Sequence, residues 1–231
     1  DPFERIPMYL VMLETNGNQR YIFSSPRLRE NIGASAQLVC LKEWTDKALK
    51  KTGADTAWQR DVAVHLTGTR VNRANDDATS DLDFTTEHTE WVSRASGKVI
   101  FMVTTETYAK AVISQVTQTA LAQAPGIDVS GVYISMDGRS TVDEDLLKKV
   151  HAEAAAYALR RSPAQARFSQ IPFLTRAKDS SLPAAPPLRC TLPGGLKDEA
   201  ADDIATAHSL PSRIKRYRAY WSRKGLIDLV T

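Results

Sequence analysis

The residues from Met8 to Leu13, "MYLVML", are all apolar, and the run stops abruptly at Glu14. A short run without polar alternation fits a β-strand covered on both faces, since a half-exposed strand alternates and a buried helix needs more length. Such a strand is expected at the centre of a sheet. Beyond Glu14 the chain passes through Thr15, Asn16, Gly17, Asn18 and Gln19 before an apolar residue returns. Asn and Gly make turns, and a turn at the end of a buried strand is also where folds place ligand-binding groups.

The rest of the chain supplies partners for that strand. "QRYIFSS" reads as a short helical or irregular segment ended by Pro26, which disfavours helix at Ser25. A longer helix is predicted from about Ser35 to Lys51, with Leu38, Leu41, Trp44 and Ala48 on one face, Ser35 as its cap and Gly53 as its stop. "DVAVHL" at Asp61 to Leu66 reads as a short strand, and about 67–88 is too polar to bury, so a long exposed loop is expected. "TEWVSR" and "KVIFMVTT" form a hairpin around "ASG", and Thr105 caps a helix running to about Gln123. "IDVSGVYISM" is a further strand. Ser140 or Thr141 then opens a helix to about Arg161, with Leu146, Leu147, Val150, Ala154 and Tyr157 facing inward.

The order strand, helix, hairpin, helix, strand is βαββαβ, which implies an α+β, ferredoxin-like palm: an antiparallel sheet with helices on one face, plus a C-terminal helical extension. The expected organisation is a palm-like domain over 1–162, an extended Pro/Ser-rich wrap or linker over 163–196, and over 197–231 the helical start of a further domain. The opening "DPFER" without Met and the strand-like closing "LIDLVT" suggest a piece of a longer protein.

Composition narrows the setting more than the function. A net charge of +3 over 231 residues requires neither nucleic acid nor a membrane surface. No apolar run approaches the ~20 residues of a spanning helix, and two distant cysteines fit a reducing cytoplasm. Cys40 is expected in the core and Cys190 as an exposed or partner-facing thiol. The histidines 65, 88, 151 and 208 have no spacing typical of zinc or catalysis, and surface or packing roles are expected for them. In "SRIKRYRAYWSRK", Arg213, Lys215, Arg216, Arg218, Arg223 and Lys224 alternate with aromatic residues. That mixture can hold nucleic acid, but an amphipathic helix burying Ile214, Tyr217 and Trp221 on a neighbour and exposing its charges is the commoner arrangement.

Function must come from the loops. In this topology the first strand and the hairpin lie side by side, which brings the turn after Leu13 toward Ser96, Gly97 and Lys98. Two-metal phosphoryl transfer needs carboxylates from both places. The first offers Glu14, and the hairpin tip offers no acid. Lys98 beside small residues suits a phosphate instead, Gly17 allows close backbone approach, and Asn16, Asn18 and Gln19 can hydrogen-bond sugar or base. Ser35 is a cap or, with Arg27 and Arg29, part of an anion site at a helix start. The plainer explanation, a turn and a solvated hairpin tip, accounts for the same spacing and is the commoner one.

In the order "YLVMLETNGNQRYIFSSPRLRENIGAS", "SGKVIFMV", "ALAQAPGIDVSGV" and "FSQIPFLTRAKDSSLPAA", the chain resembles the first palm domain of the polymerase/cyclase-like large subunit of type III CRISPR effector complexes, or related bacterial proteins with two palms. The resemblance covers roughly Met8 to Ala185. It implies two palms that join ATP into cyclic oligoadenylates, with the metal-binding Gly-Gly-Asp-Asp hairpin on the second palm and a nucleotide held by the first. Here "ASGK" stands in place of that motif, as a non-catalytic palm requires. The resemblance assigns nucleotide binding to Glu14, Asn16, Gly17, Asn18, Gln19, Arg27, Arg29, Gly33, Ser35, Ser96, Gly97 and Lys98, with ATP as ligand and Mg²⁺ only with a partner palm. It implies as partners a second palm of the same protein and effector-complex subunits or RNA, with no membrane. A degenerate palm that docks RNA or a protein partner is the alternative.

Overall fold

The apolar run becomes β1 (Tyr9–Asn16), followed by α1 (Asn18–Ile22), α2 (Leu28–Thr52), the hairpin β2 (Trp91–Ala95) and β3 (Lys98–Val103), α3 (Glu106–Gln123), β4 (Asp128–Ser135), α4 (Glu144–Arg160), α5 (Ala201–Ala205) and α6 (Leu210–Val230). The structure, a computed structural model, describes residues 7–54, 91–139, 141–162, 173–188 and 201–230. The strand expected at Asp61–Leu66, the loop over 67–88, His65, His88, Ser140, Cys190, and much of 163–200 lie outside the described residues.

The four strands form one antiparallel sheet in the order β2-β3-β1-β4, which is the ferredoxin-like βαββαβ arrangement with a C-terminal helical extension. The chain divides into two compact units. The first holds described residues 7–14, 42–54, 91–117, 130–139 and 141–160, and the second holds 15–41, 118–129, 161–162, 173–188 and 201–230.

In the first unit β1 runs antiparallel to β3 in the register Leu10↔Met102, Met12↔Ile100 and Glu14↔Lys98. Because side chains alternate across a strand, Leu10, Met12, Ile100 and Met102 share one face. They pack with Leu146, Val150 and Ala154 of α4 in one apolar cluster. Val11 and Leu13 on the opposite face are also fully buried, and β4's Gly131 lies against Leu13 and Ile113 of α3. The strand is therefore covered on both faces, as its unbroken apolar run predicts. Thr105 caps α3, its hydroxyl accepting the Tyr108 N–H at 3.2 Å.

Several local expectations are corrected. α2 begins at Leu28, seven residues before the expected Ser35 cap. The Arg27 carbonyl accepts the Glu30 and Asn31 N–H groups at 3.0 and 3.2 Å, so the first turn forms directly after Pro26, and Ser35 is an exposed residue inside the helix. α4 is capped by Asp143 rather than Ser140 or Thr141, with Asp143 Oδ1 accepting the Leu146 N–H at 2.8 Å. That bond, with Arg139 nearby, holds the Asp143 carboxyl below its ordinary range, so its support for α4 is present at neutral pH and is lost as pH falls through the lowered value. Tyr157 is 39 % exposed rather than inward, and Cys40 is half-buried rather than core.

Candidate functional site

At the hairpin end of the first unit, Lys98 Nζ stands 3.4 Å from Glu14 Oε2 across the β1–β3 register. Gly97, at φ 76°, closes the tip beside exposed Ser96. Glu14 and Lys98 are thus cross-strand neighbours, and the Glu14 carboxylate is answered by an ammonium rather than by a second acid.

In the second unit β1 leads into α1 through Gly17, whose φ of 63° and ψ of 35° are left-handed and favour glycine. Its carbonyl accepts the Tyr21 N–H at 2.9 Å, which starts α1 immediately. Asn16 and Gly17 line a cavity of about 380 Å³ together with Tyr21, Ser24, Asp179 and Lys215. Ser25, Ser180, Ser181, Ser209 and Ser212 add hydroxyl-bearing residues to the lining.

Lys215 is the cation of this cavity. Its Nζ donates to Tyr21 O at 2.6 Å and to Ser24 Oγ at 2.8 Å, and sits 4.0 Å from the centroid of the Tyr21 ring. Burial pulls its pKa down to about 8, against the opposing pull of Glu30 and Asp179. Burial likewise pushes the Tyr21 hydroxyl up, and that hydroxyl donates to Gln37 Oε1. Since Lys215 titrates lower in the folded chain than the ~10.4 of an unfolded one, the unfolded chain binds more protons between those values. Wild-type stability measured against Lys215→Met should therefore rise as pH goes from about 8 to about 10. Urea unfolding of both chains across that range checks it, and a flat difference would contradict it.

Behind the cavity lies a buried ionic network. Arg216 Nε donates to Glu30 Oε1 at 2.9 Å and its Nη1 reaches Asp203 Oδ1, while Arg29 Nη1 meets Asp203 Oδ2 at 2.8 Å. His208 Nδ1 and Asp179 Oδ2 are 2.7 Å apart, and Ser212 Oγ donates to Glu30 Oε2 at 3.2 Å. For Asp179 burial acts upward, but the His208 contact works against it and the carboxyl stays below its ordinary value. Glu30, Asp179 and His208 bring ligand atoms within 4.8 Å of one another, as a metal site would. A cation there would have to displace the Ser212 and Arg216 bonds and sit beside a guanidinium, so the group serves as a set of counter-ions.

This network overturns the expected orientation of α6. Arg213, Lys215 and Arg216 are buried, only 2, 2 and 7 % exposed, whereas Tyr220 is 50 % exposed and Tyr217 and Trp221 are half-buried. The basic face turns inward because Glu30, Asp179 and Asp203 wait there. His208, expected in a surface or packing role, belongs to the same network.

Of the other predicted residues in this unit, Asn18 is half-buried with Oδ1 lacking a hydrogen-bond partner among the described residues, Gln19 and Arg27 are exposed, and Arg29 belongs to the Asp203 pair. Gly33 sits where a Cβ would come 1.7 Å from the Lys215 carbonyl oxygen, so its role is close helix packing. None of these six, Ser35 included, lines the cavity. Asp179 and the serines were missed because no local pattern marks them, and Lys215 was marked only as one of the basic residues of α6, expected to be exposed.

No family model matches the chain, and no curated protein matches its sequence. Solved structures do match in fold. One of them is a chain of the type III-B Cmr-beta structure determined by cryo-EM in the apo state, similar over 95 % of this chain with a TM-score of 0.50 and 11 % identity. The match spans 32 % of that longer chain. At this identity the likeness concerns fold. Among the described residues no helix is long and apolar enough to cross a membrane.

Proposed function

We propose that this chain is the non-catalytic palm of a CRISPR-type, cyclic oligoadenylate synthase-like defence protein, holding ATP against a second palm supplied elsewhere in a longer protein. The observation that carries the reading is the cavity at the end of β1, where Asn16 and Gly17 of the expected turn meet a buried ammonium and a ring of serines. The fold likeness to a type III-B Cmr-beta chain supports the same context and suggests effector-complex subunits and RNA as partners. Glu14 faces Lys98 at the hairpin end, where paired magnesium ions would need further carboxylates, so Mg²⁺ enters with the partner palm.

Calorimetric titration with ATP should give saturable binding at one site. Lys215→Met should weaken it by about tenfold or more, the usual worth of a charge-assisted hydrogen bond. The competing reading is a docking module, favoured by Phe23 and Leu28, which are 69 and 73 % exposed beside exposed Arg27. Absence of saturable ATP binding, with RNA or protein binding lost in Phe23→Ser, would replace the nucleotide reading with that one.

A further inference from the structure

The cavity of the second unit has polar groups whose hydrogen-bonding capacity is unfilled. The Asp179 side chain is 4 % exposed, and while its Oδ2 meets His208, its Oδ1 is buried with no hydrogen-bond partner among the described residues. The Lys215 ammonium carries three N–H groups, of which Tyr21 O and Ser24 Oγ accept two; among the described residues the third has the Tyr21 ring face, 4.0 Å from Nζ to the centroid, and no oxygen or nitrogen acceptor. Both residues line the same cavity. A buried acceptor and a spare donor call for a guest that offers a donor and an acceptor side by side.

A polyphosphate does not meet that demand, since it has acceptors alone and nothing to donate to the buried Asp179 oxygen. The N-terminus of α6 offers it little compensation. Pro211 has no N–H, the Ser212 N–H goes to Ser209 Oγ at 3.4 Å, and the Arg213 N–H goes to Ser209 O at 2.9 Å. Asp128, 2.8 Å from Arg161, is balanced already. A neutral heterocyclic edge pairs an N–H with a ring nitrogen or carbonyl oxygen, and about 380 Å³ is within the range that admits a small organic guest.

We infer that this cavity takes the base of the nucleotide and leaves the phosphates outside, with Asp179 Oδ1 accepting an N–H of the base and Lys215 Nζ donating to the acceptor next to it. The inference rests on the nucleotide-holding reading and adds which end of the nucleotide enters. The test is competition on the whole chain, with ATP, adenosine and inorganic tripolyphosphate as probes. Adenosine should displace ATP with an affinity within about tenfold of it, and tripolyphosphate should not displace it. Asp179→Asn should weaken adenosine and ATP together by about tenfold; should that variant fail to fold, purine riboside, which lacks the amino group, gives the same comparison from the ligand side. Displacement by tripolyphosphate but not by adenosine overturns the inference while leaving nucleotide holding intact. Binding of neither ATP nor adenosine overturns both.

Discussion

Arg216→Met will lower the unfolding free energy by about 3–5 kcal/mol, the usual cost of breaking a buried pair from one side. Glu30 is fully buried and Arg216 is 7 % exposed, with Nε on Glu30 Oε1 at 2.9 Å and Nη1 on Asp203. Without the guanidinium, Glu30 keeps, among the described residues, the Ser212 hydroxyl at 3.2 Å, and Asp203 falls back on Arg29. The penalty is thus that of uncompensated charge rather than lost contact area. The double variant Glu30→Met with Arg216→Met should recover part of the loss, because it removes both charges and keeps apolar volume. Urea unfolding of the two variants reads both numbers; a single-variant loss below about 1 kcal/mol would show that the network is not buried in solution.

Gly33→Ala should also be strongly destabilising, and here two effects of opposite sign compete. Alanine at a helix interior is intrinsically better than glycine by about 1 kcal/mol. Against that, the added Cβ would lie 1.7 Å from the Lys215 carbonyl oxygen and 2.6 Å from its carbon, both backbone atoms that cannot rotate aside. Forcing α2 and α6 apart should cost about 3 kcal/mol or more, at the upper end of overpacking penalties, so the net change is a loss. Thermal unfolding decides the sign. A stabilised Gly33→Ala chain would mean that the helices do not approach at that point.

The same residues explain what could be read from the sequence and what could not. β1, the hairpin and the Thr105 cap were legible because their signals are local: an unbroken apolar run, a Gly-containing turn, and a hydroxyl before a periodic segment. The start of α2 was not, because Ser35 reads as a cap, whereas Gly33 lies within the helix for a reason the sequence does not carry, a backbone brought close by the fold. The orientation of α6 failed for a similar cause. Charged residues are exposed by default, and Arg216 defies the default through Asp203 and through Glu30, 186 positions away. In the candidate site, Asn16 and Gly17 could be found as a polar turn after a buried strand, whereas Lys215 and Asp179 come from segments whose sequence says nothing of a cavity.

Amide hydrogen exchange of the chain with and without saturating ATP locates a bound nucleotide most directly. Slowed exchange at residues 16–25 and 209–215 is the predicted result, since those backbone segments carry the cavity wall. Unchanged exchange there, or protection confined to other parts of the chain, would contradict the account.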